Sequence, residues 1–264
     1  MTRLFRAEIR KILTTRLWWG LLLGLVLTWA ALSVLEGSIA GRTTGGTQAT
    51  PGLDDPATIR SVYTAGLSTA YLFALAFGVI SMAGEYRQQT ITSTVLSSPH
   101  RSRVVLAKLA AVAVTGFAYG LAGVVGGLVA GIPVIELRHA DVLLTSDGVP
   151  RALITAALAV GLWAVVGLGV GTLIRNQIVA LLVSIGLAWI AEPLLALGLN
   201  AAGIGSVARF LPSQATSALI SPSTDSSGLS VELLPWWGGA LVLLGYAALS
   251  GALGAALTLR RDIT

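Results

Sequence analysis

The sequence predicts an all-α integral membrane protein with six transmembrane helices. Of its 264 residues, 55% are hydrophobic and 11% are charged, and the mean hydropathy is +0.82. Such a chain has too little polar surface to form a soluble globule. Its apolar residues lie in continuous runs near the roughly 20 residues of a spanning helix, and not in the alternating pattern of barrel strands. The predicted spans of this single membrane domain are 17–35, 62–83, 109–134, 153–174, 178–199 and 236–259.

An interfacial amphipathic helix is predicted over residues 2–16, before the first span. Phe5, Ile9 and Ile12 recur at helical spacing and form an apolar stripe, which we expect to enter the acyl boundary of the membrane. Basic residues on a neighbouring face are expected to anchor on lipid phosphates. These membrane-surface anchors are Arg3, Arg6 and Arg10.

The distribution of basic residues predicts that both termini are cytoplasmic. When the spans are threaded with the N-terminus inside, twelve of the 17 basic residues fall on the inner side. Cytoplasmic loops carry an excess of Lys and Arg, so this orientation is favoured. The net charge of +5 expresses this asymmetry, and no basic tract interleaved with aromatic residues indicates nucleic-acid binding. The five basic residues on the outer side are Arg42, Arg60, Arg138, Arg151 and Arg209.

Three outer loops are predicted, over residues 41–56, 135–150 and 200–235. The first is rich in Gly, Thr and Pro and is expected to have no regular structure. The third is the longest, and apolar residues within 207–220 predict short helices that rest on the outer leaflet. Spans four and five are separated by only a few residues, so they are expected to be antiparallel neighbours.

Glycines at four-residue spacing predict close helix packing in spans three and four. They are Gly123, Gly127 and Gly131 in span three, and Gly167 and Gly171 in span four. The favoured interpretation is packing within the chain, and a subunit interface is the alternative.

The chain lacks the motifs of a nucleotide-binding protein. A phosphate-binding loop needs Lys followed by Ser or Thr, but Lys11 is followed by Ile12 and Lys108 by Leu109. There is no cysteine, and the two histidines are far apart, so a metal site is not expected. If ATP drives this protein, a separate subunit must hydrolyse it.

The most polar stretch between two spans covers residues 84–103. It combines an apolar stripe at helical spacing with a proline and a cluster of cations, which indicates a docking segment at the membrane surface. A plain positive inner loop, which docks with nothing, is the alternative. The stretch contains Glu85, Tyr86, Arg87, Thr90, Ile91, Val95, Leu96, Pro99, Arg101 and Arg103, with Lys108 following.

In these residues the chain resembles permease subunits of the type 2 ABC exporter family. The family pattern has a Glu, then Gly-Thr four to five residues on, an apolar helix, a Pro, and basic residues leading into the next span. This chain departs from the pattern at Gln89, where the family has Gly. The six-span order, the N-terminal amphipathic helix, the long final outer loop and Phe-Leu-Pro-Ser-Gln at 210–214 extend the similarity over nearly the whole chain.

The resemblance implies a half-transporter that moves an amphiphilic substrate, such as a drug, antibiotic, peptide or lipid, out across a bacterial cytoplasmic membrane. Two permease copies, as a homodimer or related heterodimer, would each rest a coupling helix from 84–103 in one of two ATP-binding subunits. ATP and Mg²⁺ would bind those subunits, and this chain would bind no cofactor and catalyse no reaction. The implied coupling residues are Glu85, Tyr86, Arg87, Thr90, Ile91, Val95, Leu96 and Pro99, and the lipid-facing anchors are Arg101, Arg103 and Lys108.

Glu192 is an acidic residue inside a predicted span, beside Pro193. A charge there is costly, so by default it marks a pathway for substrate or protons. The alternative is a structural carboxylate that is neutral or pairs with an outer arginine such as Arg209. Two competing functions follow from the ionisable residues. One is a proton-coupled secondary transporter that uses Glu192, and the other is a membrane-embedded enzyme built on Glu85 and Arg87.

Overall fold

The computed structural model describes residues 2–42, 51–87, 101–145, 148–174, 176–220 and 233–260, and of residues 86, 101–102 and 254–260 it describes only the backbone. Every regular element in these ranges is a helix. In chain order they are α1 (Thr2–Thr14), α2 (Leu17–Ile39), α3 (Pro56–Thr64), α4 (Leu67–Arg87), α5 (Arg101–Leu137), α6 (Val149–Leu173), α7 (Gln177–Gly186), a π-helical turn (Leu187–Ala191), α8 (Glu192–Ala201), α9 (Gly205–Ala208), α10 (Pro212–Ile220) and α11 (Trp236–Arg260).

Six segments are long and apolar enough to cross a membrane, which confirms the all-α membrane fold class. They are α2, α3 with α4, α5, α6, α7 with α8, and α11. The predicted interfacial helix corresponds to α1. Most of the predicted coupling segment, residues 88–100, lies outside the described part of the chain.

The helix α6 is the centre of the bundle. It packs most extensively on α4 and α5 and also contacts α10 and α11. Of the span that it forms, 67% is buried, against 17% for α2 and 22% for α11. The helices at the periphery therefore present most of their apolar side chains outward, as a bundle surrounded by lipid requires.

Small residues allow α4 and α6 to pack with their backbones in contact. A Cβ atom at Gly167 would lie 2.1 Å from the carbonyl oxygen of Leu75, and one at Gly171 would lie 2.7 Å from that of Val79. In span three, Gly123 and Gly127 face the indole of Trp29, which is fully buried, and Gly131 faces Val62 and Tyr63. The packing interpretation of both glycine series is therefore confirmed, and the subunit-interface alternative for them is wrong.

Span two is longer than predicted and is broken into α3 and α4. Its α3 begins inside the predicted first loop, because Asp55 accepts a hydrogen bond from the backbone N–H of Ala57 and Pro56 occupies the first turn. At the break, Gly66 lies against Trp29, and the indole Nε1 of Trp29 donates to the carbonyl of Tyr63 at 2.9 Å. This contact satisfies one carbonyl that the end of α3 would otherwise leave unpaired.

The predicted short helices of the third outer loop are α9 and α10, and α10 packs into the bundle instead of resting on a leaflet. The buried face of α10 contains Ala215, Thr216, Ala218 and Leu219, and the helix packs on α11 and α6. Trp163 Nε1 donates to Thr216 Oγ1 at 2.9 Å, and Thr155 Oγ1 donates to the carbonyl of Leu219 at 3.0 Å. The predicted surface position is wrong because α10 has buried hydrogen-bond partners in the bundle, which the local sequence does not reveal.

Candidate functional site

The helix α1 docks on the bundle through the face that carries its apolar stripe. Leu4, Phe5, Ile9 and Ile12 are all partly buried, and Ile12 packs against the main hydrophobic core. Glu8 lies in the middle of this face and is only 6% exposed. We expected the stripe to enter lipid, whereas the structure turns much of it towards α5.

Glu8 belongs to a cluster of four charged side chains at the end of the bundle where α1 lies. Lys108 Nζ donates to Glu8 Oε2 and to Glu85 Oε1, both at 2.7 Å. Lys11 Nζ donates to Glu8 Oε1 at 2.8 Å and to Glu85 Oε1 at 3.1 Å. We call Glu8, Lys11, Glu85 and Lys108 the ionic cluster. It joins α1 to the end of α4 and the beginning of α5.

Most of the ionic cluster is shielded from solvent. The side chains of Glu8, Lys108 and Glu85 are 7%, 10% and 13% exposed, and only Lys11, at 43%, is open to solvent. Two carboxylates and two ammonium groups balance each other, so no net charge is buried. Breaking one buried pair typically costs about 3–5 kcal/mol, because the remaining charge loses its partner.

The ionic cluster also changes the protonation of its members in α1. Burial alone would raise the pKa of Glu8, but the charges and hydrogen bonds of Lys108 and Lys11 together outweigh burial, and the pKa lies below its ordinary value. Burial alone would lower the pKa of Lys11, yet its hydrogen bond with Glu8 and the charge of Glu85 raise it. Both shifts favour the charged forms at neutral pH.

The position of one predicted site residue differs from expectation. Lys108 is not a lipid-facing anchor, since it is buried between two carboxylates. Glu85 takes part in the same ion pairs through Oε1 and is only 13% exposed, and its contact with an ATP-binding subunit stays a prediction. Arg103 is exposed as expected. Arg87 is also exposed, and its Nη1 donates to Gln177 Oε1 at 3.5 Å.

The remaining predicted coupling residues stay predictions. Thr90, Ile91, Val95, Leu96 and Pro99 lie outside the described residues. The backbones of Tyr86 and Arg101 belong to α4 and α5 respectively, and their side chains are not described.

The sequence reasoning missed Glu8 and Lys11 as members of a site. The signal was a carboxylate inside the apolar stripe, one turn from Ile12 and three residues before Lys11. A charged group on the apolar face of a helix requires a partner wherever that face is buried.

Glu192 lies in a second, separate polar site within span five. Pro193 has no backbone N–H, and the chain before it widens into a π-helical turn in which the N–H of Glu192 bonds to the carbonyl of Leu187. The carboxylate is 8% exposed, and it accepts a hydrogen bond from the backbone N–H of Ser213 in the first turn of α10.

The contact with Ser213 places the carboxylate of Glu192 at the beginning of α10. The first N–H groups of a helix have no partner within it and carry partial positive charge, so a carboxylate is favourable there. The expected alternative pairing with Arg209 is wrong, since the guanidinium of Arg209 lies over the ring of Phe210 at 5.1 Å and no ion pair joins it to Glu192.

No group of three His, Asp or Glu side chains in the described ranges could hold a metal ion. The fold and these two sites define the chain as a multi-pass helical membrane protein with a buried ionic cluster at one end. No protein-family model matches its sequence, and no curated protein does either. Its resemblance to type 2 ABC permeases therefore stays a prediction.

Proposed function

We propose that this chain is the membrane-spanning permease subunit of an ATP-driven exporter of the ABC type, and that two copies work with two ATP-binding subunits. The observation that supports it most is the ionic cluster. Glu85 is at the end of α4 and Lys108 is near the beginning of α5, so the cluster holds together the two helices that flank residues 88–100.

The ionic cluster supports this proposal because coupling requires that force on the docked segment reach the spans. A segment that docks on an ATP-binding subunit can tilt the spans only if its two ends are firmly attached to them. Ion pairs between Lys108 and the carboxylates of Glu8 and Glu85 stiffen this attachment and make α1 part of the same unit. ATP-driven movement of the docked segment would then move α1, α4 and α5 together.

The substrate that we propose is an amphiphile such as a drug, antibiotic, peptide or lipid, and the direction is outward across a bacterial cytoplasmic membrane. Both rest on the family resemblance and on the apolar composition of the spans. Both termini would then be cytoplasmic, with the ionic cluster on the cytoplasmic side.

The test is reconstitution with an ATP-binding-cassette subunit encoded beside this chain. We expect the two proteins to copurify, and ATP to drive the release of an amphiphilic dye from the membrane only when both are present. Export by this chain alone, or failure of any such ATPase to copurify, would contradict the proposal.

Arg87→Ala probes the docking contact more cleanly than any change at Glu85. Arg87 is exposed. Glu85 belongs to the ionic cluster, so replacing Glu85 would also destabilise the fold. We expect Arg87→Ala to retain the melting temperature and to reduce the stimulation of ATPase activity by the permease. Exposed Arg16 at the same end is the matched control, and Arg16→Ala should retain the stimulation.

Proton-coupled transport through Glu192 is the alternative function. The hydrogen bond from Ser213 favours a structural role for this carboxylate over a titrating one. Glu192→Gln keeps an acceptor oxygen and removes the titratable group, so we expect ATP-driven export to persist in this variant. Loss of export with an unchanged melting temperature, together with transport driven by a proton gradient alone, would favour the alternative instead.

A further inference from the structure

Two arginines meet at the beginning of α6, at the end of the bundle opposite the ionic cluster. Arg60 comes from α3 and is only 7% exposed, and Arg151 lies in the first turn of α6 and is half-buried. A Cβ atom at Gly148 would lie 3.1 Å from Arg60 Nη1 and 3.5 Å from Arg151 Nη2, so both guanidinium groups reach the same backbone position. We call Arg60 and Arg151 the arginine pair.

The arginine pair lies where further positive charge is unfavourable. The first N–H groups of α6 carry partial positive charge, and Gly148, which precedes them with a φ of 84°, has no side chain to accept from them. The two guanidinium groups also repel each other. Asp55 is a described carboxylate whose charge attracts Arg60, but it already accepts a hydrogen bond from the N–H of Ala57. The beginning of α6 is therefore strongly positive.

The guanidinium of Arg151 can still accept a partner at this place. Within the described part of the chain its Nε is buried without a hydrogen-bond partner, and none of the ion pairs includes it. Its Cζ lies 5.7 Å from the ring centre of Trp236, and a contact with a ring satisfies none of the five N–H donors of a guanidinium. A buried donor without an acceptor is costly, and a bound anion would remove that cost.

An apolar surface continues from the arginine pair along the outside of the bundle. Ile154 and Leu158 follow Arg151 at helical spacing on α6 and are 57% and 48% exposed. Trp236 and Trp237 at the beginning of α11 are also exposed, and tryptophan concentrates at the level of lipid headgroups. Three helices, α3, α6 and α11, therefore contribute to one place that has a cationic part and a contiguous apolar part.

From this arrangement we propose that the beginning of α6 is a binding site for the phosphate headgroup of an anionic phospholipid, with an acyl chain on Ile154 and Leu158. Guanidinium groups bind phosphate oxygens in bidentate fashion, and the first N–H groups of a helix bind anions. The phosphate supplies an acceptor to Arg151 and offsets the repulsion within the arginine pair. The site does not depend on the transport function proposed above.

The experiment compares Arg151→Gln with the matched control Arg209→Gln. Arg209 is also half-buried, its Nε is also buried without a hydrogen-bond partner in the described residues, and its guanidinium lies over the ring of Phe210. It follows the short α9, however, and is not in the first turn of a long helix. Binding of phosphatidylglycerol to the full chain in detergent is measured by native mass spectrometry, with phosphatidylcholine as the competing lipid.

We expect wild type to bind phosphatidylglycerol in preference to phosphatidylcholine. Arg151→Gln should bind phosphatidylglycerol about tenfold more weakly, the effect of losing a hydrogen bond to a charged group. Arg209→Gln should bind it as wild type does. Equal binding by the two variants would overturn the proposal, and so would the absence of a preference in wild type.

The melting temperature separates lipid binding by Arg151 from a purely structural role. Without phosphatidylglycerol, Arg151→Gln should melt at the temperature of wild type or above it, because the change removes a cation from the positive end of α6. With phosphatidylglycerol, wild type should gain more than the variant. A variant that melts lower without the lipid and gains as much with it would show that Arg151 only attaches α11 through Trp236, and would overturn the proposal.

If Arg151→Gln does not fold, Arg151→Lys provides the comparison. It keeps the charge and loses the planar fork, so it should still bind phosphatidylglycerol more weakly than Arg209→Lys does. Equal binding by these two variants would overturn the proposal.

Two further measurements identify the anion. An excess of inorganic phosphate, which has no acyl chain, should displace little phosphatidylglycerol from wild type, and complete displacement would overturn the assignment to a lipid. Asp147 precedes Gly148 in the sequence and lies outside the described residues. Asp147→Asn should bind phosphatidylglycerol at least as tightly as wild type. Binding that appears only in Asp147→Asn would show that the chain supplies its own anion, and would overturn the proposal.

Discussion

Lys108 is the residue on which the ionic cluster most depends. It contacts two carboxylates that are themselves largely buried, whereas the other cation, Lys11, is partly exposed to solvent. Sequence position alone indicates a juxtamembrane anchor, because Lys108 follows Arg101 and Arg103 at the beginning of a span. Its burial depends on the arrival of α1 from a hundred residues away.

Replacement of this lysine should destabilise the fold. We expect Lys108→Met to lower the free energy of unfolding by about 3–5 kcal/mol, since the nearly isosteric side chain leaves Glu8 and Glu85 buried without their main partner. Denaturant unfolding in detergent micelles measures the effect. Arg103→Met is the matched control at an exposed position and should change stability by no more than about 0.5 kcal/mol. Equal effects of the two changes would contradict the burial of Lys108.

The lowered pKa of Glu8 predicts sensitivity to acid. In the unfolded chain the carboxyl group of Glu8 has a pKa of about 4.3. In the folded protein its pKa is lower. Its contribution to stability is therefore fully present above that pH and is lost as the pH falls through the folded value.

The measurement is the melting temperature of wild type and Glu8→Gln between about pH 7 and about pH 3. Wild type should lose more stability than Glu8→Gln over this interval, so the two curves should converge in acid. Parallel curves would mean that Glu8 does not titrate in the way that its ion pairs require.

At the scale of elements, the contact between α4 and α6 tolerates only glycine at its closest points. We expect Gly167→Ala to destabilise the protein by about 3 kcal/mol, because its Cβ would collide with the backbone oxygen of Leu75. Gly245→Ala in α11 is the control, since nothing lies within 4 Å of a Cβ there. It should leave stability unchanged or raise it by up to about 1 kcal/mol. Thermal unfolding of both variants in the same detergent makes the comparison.

The elements themselves were largely predictable. Continuous apolar runs predicted all six spans, because a spanning helix must satisfy its backbone internally and cover itself with apolar side chains. Their ends were less predictable. Span two extends back to Pro56 because Asp55 caps it and Trp29 stabilises the break at Gly66, and the second of these is a tertiary contact.

At the scale of the whole molecule, the distribution of basic residues predicts a testable orientation. The natural chain contains no cysteine, so single cysteines can be introduced without background labelling. In intact cells, a membrane-impermeant maleimide should label Asp141→Cys, which is exposed in the connection between α5 and α6, and should not label Thr14→Cys in α1. Both should be labelled after permeabilisation. Labelling of Thr14→Cys alone in intact cells would reverse the orientation.

For the charged residues, local sequence predicts which side chains are exceptional but not which partners they have. Arg87 and Arg103 are exposed at one end of the bundle, and their roles as a docking contact and a lipid-facing anchor stay predictions. The partners of Glu85 and Lys108 could not be predicted, because Glu8 is distant in sequence from both and only tertiary packing brings it between them. Glu192 was singled out as a carboxylate inside a span, but its partner in α10 is 21 residues further along the chain and could not be predicted.

The sequence by itself determined that the chain forms membrane-spanning helices, because the solvation of a continuous apolar run depends on composition and length and not on its neighbours. It also determined that arginines concentrate before the first span and near the ends of the others. Tertiary structure alone decided which charges are buried together, how α1 is oriented and where α10 inserts. These outcomes depend on contacts between residues far apart in sequence, where desolvation of each charged or polar group must be offset by a partner that only the folded chain supplies.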